Sequence, residues 1–262
     1  MEKRSRSSVT NQRHFQQRKP DPNLIFGTRA VIEAVRAGRE MESIYIQREL
    51  NNDLIKELKA ELAEHGIVYH KVPLEKLNRL TRKNHQGVVA YISPIHYADL
   101  DNVISGVYEQ GNLPLVIVLD RITDVRNLGA IARTAECLGA HALVVPSRGG
   151  ARIGADAVKT SAGALHHIPV CREDNLKETI SRLKDAGLKI AACTEKGAEP
   201  LYSADLSGPV ALVMGSEEDG VSAEYLKLAD KQILVPMQGE IESLNVSVAT
   251  AICLYEVVRQ RS

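Results

Sequence analysis

The chain has 262 residues, 44% hydrophobic and 25% charged, and its 33 basic and 33 acidic residues give a formal net charge of zero. That mixture suits a chain that buries a core in one large or two modest domains, and it excludes a wholly disordered protein. No run approaches the roughly 18 apolar residues of a membrane helix. The four cysteines (Cys137, Cys171, Cys193, Cys253) form no CxxC pair, so a reducing cytoplasm is the expected compartment.

In chain order, residues 1–23 come first, with Lys3, Arg4, Arg6, Arg13, Arg18 and Lys19 against the single acid Glu2 in the first nineteen. This basic, polar tail lacks the apolar core of a secretory signal and is expected to be disordered. It is either a source of salt-sensitive phosphate contacts or a solvated extension. The pattern turns globular at Leu24. Residues 28–38 (TRAVIEAVRAG) have helical periodicity and stop at Gly38, and IYIQ (44–47) reads as a strand. NNDLIKELKAELAEHG reads as a helix capped by Asn52 or Asp53 and closed by Gly66, with further strands at 67–72 and 88–93. These elements predict a small α/β domain over residues 24–95, followed by a weakly patterned linker at 96–112.

Beyond Pro114 come five short runs: LVIVLD (115–120), ALVVPS (142–147), LKIAACT (188–194), VALVMG (210–215) and QILVPM (232–237). They are almost continuously apolar, as strands covered on both faces are, and helical segments separate most of them. A parallel α/β sheet over residues 113–262 is the economical expectation. Ligands of such sheets sit beyond the carboxyl ends of the strands, here marked by Asp120, Thr194, Gly215 and Pro236.

Three polar clusters follow those ends. In DRITDVRNLGAIARTAECLGA (120–140), Leu128, Ile131, Ala135 and Leu138 form one buried stripe. Arg133, about 200° round the helix from Ile131, points away from it. Arg126 lies on nearly the same face as Arg133, and Asn127 suits the helix start as a cap. By spacing alone, a capped amphipathic helix with solvated arginines is the simpler reading. In MGSEEDGVS (214–222) the glycines allow close backbone approach, while Glu217 and Glu218 make a poor phosphate cradle. In ILVPMQGEIESLNVSVATAICLYE (233–256), Ser243, Asn245 and Ser247 open a helix with Val248, Ile252 and Tyr255 on one side. Ser243 and Asn245 are either caps or substrate holders. There is no GxGxxG, GxxxxGK[ST], HExxH or GxSxG signature. The adjacent pair His166-His167 suits a strand edge better than a metal site.

Taken in this order, the three clusters resemble the three motifs of the SpoU family of RNA ribose 2'-O-methyltransferases, within the knotted SPOUT class. The resemblance spans residues 24–262 and is greatest to the bacterial enzymes that methylate a guanosine of 23S rRNA. It implies a C-terminal parallel-sheet domain with a deep trefoil knot, a small N-terminal α/β RNA-binding domain, and a homodimer drawing catalytic surface from both subunits. It also implies a cytoplasmic location and methyl transfer from S-adenosylmethionine to a ribose 2'-hydroxyl, without a metal. Asn127 and Arg133 match the first motif's asparagine and catalytic arginine, Glu217 the second motif's glutamate, and Ser243 and Asn245 the third motif's polar pair.

The resemblance places the cofactor at Thr194, Glu195, Gly197, Gly215, Glu217, Val235, Met237, Leu244 and Asn245. Arg29, Arg36, Arg82 and Lys83, with Arg39 and Arg79, are the small domain's phosphate-contact candidates, and Arg126 joins them from the large domain. Tyr45 and Tyr69 are either RNA contacts or core. One position departs: the family's GxEGxG has Glu218 at its middle glycine, which would cost about 1 kcal/mol or more if that position has φ > 0. A tRNA ribose methyltransferase and a non-catalytic RNA-binding protein on the same fold are the alternatives.

Overall fold

The structure is a computed structural model describing residues 21–197, 199–241 and 243–262. The contact role expected of the basic tail falls on residues 1–20, outside the described residues.

The first unit runs β1 (Leu24–Phe26), α1 (Thr28–Arg36), β2 (Met41–Gln47), α2 (Asp53–Glu64), β3 (His70–Val72), α3 (Leu74–Leu80) and β4 (Val88–Ile92). Its four strands pair in the order β1-β4-β2-β3, with β4 antiparallel to both neighbours and β3 parallel to β2. Asn52 caps α2, its Oδ1 accepting from the Ile55 amide at 2.9 Å. Helix α1 is followed by Gly38 (φ 67°) and α2 by Gly66 (φ 65°), the left-handed exits glycine allows. Strand alternation sends Ile44, Ile46, Val88 and Ala90 to one face, where Val31, Ile32, Ile55 and Leu58 of α1 and α2 seal them. Leu24, Phe26, Tyr45 and Val89 take the other face and meet Leu77 and Leu80 of α3.

Residues 96–112, expected to form a linker, are largely a helix, α4 (Leu100–Glu109). Asp99 caps it, accepting from the Asn102 amide at 2.9 Å. Leu100, Ile104 and Val107 recur at helical spacing and are buried, the first two in one core layer of the second sheet. So narrow a stripe among Asp, Asn, Ser and Gly leaves little periodic signal.

The second unit runs β5 (Leu115–Leu119), α5 (Val125–Cys137), β6 (Ala142–Pro146), α6 (Ala155–Thr160), β7 (Val170–Glu173), α7 (Leu176–Asp185), β8 (Lys189–Cys193), β9 (Glu199–Pro200), β10 (Val210–Met214), α8 (Ala223–Leu228), β11 (Lys231–Leu234) and α9 (Val246–Arg261). The strands pair in the order β7-β6-β5-β10-β8-β11-β9, every pair parallel. Leu115, Ile117 and Leu119 enter one core with Ile131 of α5 and Leu254 of α9. Val116 and Val118 enter the opposite core with Ile104 of α4 and Ile180 of α7. Burial on both faces explains the unbroken apolar runs. His166 and His167 are not at a strand edge: Gly163 (φ 90°) turns the chain into a short 3-10 segment, Ala164–His166, and both imidazoles are exposed.

The two units meet through Glu42 of β2. Its carboxylate accepts from the Tyr97 hydroxyl at 2.6 Å, the Ile153 amide at 3.1 Å and the Arg172 guanidinium. Arg172 lies 3.7 Å from the centre of the Tyr97 ring. Burial, and then the charge of Glu42, hold the Tyr97 hydroxyl well above its ordinary pKa, which keeps it a donor.

Candidate active site at the strand ends

The three polar clusters converge beyond the carboxyl ends of the central strands. Asp124 caps α5, its Oδ1 accepting from the Arg126 amide at 2.7 Å. Asn127, expected as that cap, instead lies in the first turn, buried, with its side chain released for other work. Its Nδ2 donates to Oε1 of Glu217 at 2.6 Å. Asn245 donates from Nδ2 to the same Oε1 at 2.9 Å and to Oδ1 of Asn127 at 3.1 Å, across 118 residues of sequence. The Oδ1 of Asn245 is occupied as the cap of α9, accepting from the Ser247 amide at 2.9 Å and its hydroxyl at 2.6 Å. That cap turns the amide nitrogen of Asn245 toward Glu217. Bonds to a carboxylate are charge-assisted, so a glutamate held by two amides is a well-oriented acceptor.

The turn carrying Glu217 is closed by reciprocal backbone bonds between Ser216 and Gly220, both 3.0 Å. Gly220 (φ 69°) takes the left-handed position, while Glu218 is not among the positive-φ residues, so the strain conditionally expected there does not arise. Left-handed backbone appears instead at Arg121 (φ 56°). Its guanidinium reaches Asp120 Oδ1 at 3.0 Å, Asp219 Oδ2 at 2.8 Å and the Gly220 carbonyl at 3.3 Å. Asp120 is buried, and its Oδ2 accepts from the Ser222 amide at 2.7 Å and hydroxyl at 2.6 Å. The hydrogen bond to Asp120 is the first cause raising the Arg121 pKa, so this clamp stays charged. Sequence reasoning marked Asp120 as a strand end and missed Arg121. Between the clamp and the amide cluster lies a cleft of about 280 Å³, lined in part by Ile122, Thr123, Asn127, Gly149 and Glu217.

Thr194, Gly215 and Val235 are the first residues after β8, β10 and β11, which lie side by side in the order β10-β8-β11. Their loops pack backbone to backbone. A Cβ on Gly215 would stand 2.0 Å from the Gly220 carbonyl carbon, and one on Gly197 would stand 2.8 Å from that of Ile233. Thr194 donates to the Ile233 carbonyl at 2.9 Å, and Gly197 to the Thr194 carbonyl at 3.0 Å. The Glu195 carboxylate approaches Gly220, while Met237 (37%) and Leu244 (36%) leave apolar surface open at this edge. Ser243 is exposed and does not join the amide cluster of the described residues. Arg133 is exposed as well, on a face of α5 turned from Asn127, and among the described residues no partner holds its guanidinium. Arg126 is 86% exposed, with Nε 3.6 Å from Asp124.

Residues 114–255 match the SpoU rRNA Methylase family, and residues 24–98 match the RNA 2'-O ribose methyltransferase substrate-binding family. The chain belongs to the SpoU methylase family. This SpoU protein is 34% identical to YacO of Bacillus subtilis, assigned to the TrmH family of tRNA/rRNA methyltransferases, over 92% of its own length and 96% of that relative. It is 40% identical to slr0955 of Synechocystis sp., named as an uncharacterized tRNA/rRNA methyltransferase, over 91% of its length. It spans 63% of that longer protein. Among solved structures, the SpoU methyltransferase AviRb of Streptomyces viridochromogenes, in complex with AdoMet, superposes with a TM-score of 0.57 at 27% identity, covering 91% of this chain and 90% of that one.

The small domain of this SpoU chain sets its candidate cations in different surroundings, and Arg39, just after α1, is exposed with no carboxylate within 4 Å among the described residues. Arg29 lies 3.6 Å from Glu57, and Arg36 reaches Glu57 at 2.9 Å and Glu61 at 2.5 Å, so both are neutralised locally by α2. Arg79, Arg82 and Lys83 are exposed near α3, where among the described residues no carboxylate comes within 4 Å. Lys83 lies 5.5 Å from the centre of the Phe26 ring. Tyr45 and Tyr69 are both half-buried, on opposite faces of the sheet.

Proposed function

We propose that this SpoU chain is a cytoplasmic RNA ribose 2'-O-methyltransferase acting on a guanosine of 23S rRNA, of the RlmB type. The observation that carries it is the meeting of Asn127, Glu217 and Asn245, one residue from each motif, in a single hydrogen-bonded cluster beside a cleft. A binding-only protein would have no need to hold two amides on one carboxylate at a strand edge.

The edge formed by Thr194, Gly215 and Val235 fits S-adenosylmethionine. Backbone there is packed too closely for side chains, which leaves peptide groups to meet an adenosine, and Met237 and Leu244 offer apolar contact. Glu195, Gly197, Glu217 and Asn245 complete the proposed pocket. When bound, the cofactor supplies a methyl group already electrophilic on its sulfonium. The chain's own task is alignment of a ribose 2'-oxygen and management of its proton. Asn127, Ser243 and Asn245 orient the ribose, and Glu217 fixes the amides. A guanidinium holds its proton too tightly to serve as a good base, so Arg133 acts best by stabilising the developing alkoxide and clamping an RNA phosphate.

Arg133 faces away from its own chain's cluster, which supports a homodimer whose sites draw on both subunits. Helix α9, which packs on α5, leaves Val248 (47%), Ile252 (36%) and Tyr255 (62%) exposed in one stripe, the apolar surface a second copy would cover. The C-terminal third is proposed to be knotted, the chain passing from β11 across the strand ends into α9, which packs on α5 beneath the same sheet. Residues 24–95 are proposed as the RNA-recognition domain.

Transfer of labelled methyl from S-adenosylmethionine to unmodified 23S rRNA and unmodified tRNA, with identification of the nucleoside, tests this. The expected product is 2'-O-methylguanosine in 23S rRNA alone. Label in tRNA overturns the substrate, and a base-methylated nucleoside overturns the chemistry.

A further inference from the structure

Two surfaces of the small domain compete to be its RNA face, and their chemistry differs. Over α1 and α2 the arginines are answered by Glu57 and Glu61. Across the sheet, alternation brings aromatic rings together on the side opposite that core. Tyr45 of β2 stands in register with His70 of β3, and the two rings stack at 5.5 Å with planes 25° apart. Tyr91 of β4 meets Tyr45 edge-on at 6.5 Å. Lys76 of α3 lies 4.9 Å from the Tyr45 ring centre, and the Arg152 guanidinium lies 3.6 Å from that of Tyr91. The Ser43 Oγ, two residues before Tyr45 on the same face, is buried and has no hydrogen-bond partner among the described residues.

Resting on the reading of this chain as an RNA methyltransferase, we infer that the Tyr45–His70–Tyr91 face, with Lys76, Lys83 and Arg152 around it, is a stacking platform for single-stranded RNA flanking the target nucleotide. Every base has a π-face, so a base can stack on the exposed His70 ring at the edge of this cluster while the surrounding cations meet phosphates, with little regard to sequence. The cations here are suited to the task. Lys76, Arg79, Arg82 and Lys83 are exposed without a carboxylate within 4 Å among the described residues, whereas Arg152 is shared with Asp21 at 2.9 Å.

The position also fits. Gly149, in the loop after β6, lines the cleft beside Asn127 and Glu217, and Arg152 in the same loop covers Tyr91. Three residues of chain span at most about 11 Å. A strand whose ribose occupies the cleft therefore meets the aromatic face within a short distance, while α1 and α2 lie on the far side of the sheet.

The test uses the full chain with a short fluorescein-labelled oligouridine, and a 4-thiouridine version for photocrosslinking. Methyl transfer to 23S rRNA is measured on the same preparations. H70A/K76A, which alters two exposed side chains, is expected to weaken oligouridine binding about tenfold and to raise KM for RNA with kcat unchanged. Y45F keeps the ring and should bind as wild type, and R29A/R36A should change affinity less than about twofold. Crosslinks are expected in residues 43–47, 70–76 and 89–91. Crosslinks to α1 or α2, or loss of affinity in R29A/R36A with H70A/K76A intact, overturn the platform even if methyl transfer is normal. Oligouridine that does not bind the wild type also overturns it. Absence of transfer to any RNA, by contrast, strikes the enzyme reading and is scored separately.

Discussion

The two sheets present their polar chemistry in different places. The seven-stranded sheet is parallel throughout, so its crossovers cover both faces with helices and bury them. Its candidate functional groups lie along the edge where strands end, and that edge is tight: backbone lies on backbone at Gly215 and Gly197. The four-stranded sheet pairs β1, β4 and β2 antiparallel, which needs no helix between β4 and its partners on the second face. Helix α3 packs on part of that face, half-burying Tyr45, and His70 and Tyr91 extend the aromatic cluster beside it. A parallel sheet can offer a ligand only its rim, whereas a mixed sheet can offer a surface.

The contrast predicts separable damage. The largest effect belongs to Arg133→Ala, which should lower kcat for methyl transfer by about two to three orders of magnitude, as removal of a charge-stabilising donor does. Calorimetric S-adenosylmethionine affinity should stay within a few-fold and oligouridine affinity close to wild type. Near-normal turnover would remove Arg133 from the reaction and break the assignment of chemistry to the rim. Next comes Gly215→Ala. The added methyl would stand 2.0 Å from the Gly220 carbonyl carbon, which is backbone and cannot swing aside. The Ser216–Gly220 turn must open, so cofactor affinity should fall by about tenfold or more. Oligouridine binding is the discriminating readout. If it falls in parallel, the two regions are not independent.

How much of this could be read from sequence depends on the element. The central strands of the large sheet were legible because burial on both faces writes an unbroken apolar run. Strands β1, β7 and β9 were not: three, four and two residues are too few to show a period, and VCRE in β7 shows no run. The α1 and α2 boundaries are legible from Gly38, Asn52 and Gly66, whereas the narrow apolar stripe of α4 reads as a linker. At the site, Asn127 and Asn245 are both plausible caps by local rules. Only Asn245 is one, because Asp124 takes the cap position three residues before Asn127. That the two amides meet on Glu217 follows from a strand order that no local pattern contains. The small domain's cations illustrate the same limit: Arg36 and Lys83 look alike in sequence, and only the packing of α2 on α1 puts Glu61 beside the former.

The smallest predicted effect concerns stability at the rim. Asp120 is 1% exposed and serves four donors: Ser222 through its amide and hydroxyl, and Arg121 through Nε and Nη2. Asp120→Asn keeps the shape but puts an NH₂ where one of those donors points, so a donor faces a donor in a buried place. Because Arg121 is 40% exposed, solvent screens part of its ion pair, and the expected loss is about 1–3 kcal/mol. Urea unfolding should show it as a lower midpoint at constant slope. A paired comparison then separates the side chain from the backbone it sits on. Arg121→Ala and Arg121→Gly lose the same three contacts, but glycine tolerates φ 56° freely and alanine does not. Arg121→Gly should therefore be the more stable of the two by about 1 kcal/mol. Equal midpoints would mean that the left-handed turn carries no strain, leaving the contacts to Asp120 and Asp219 as the whole reason for an arginine there.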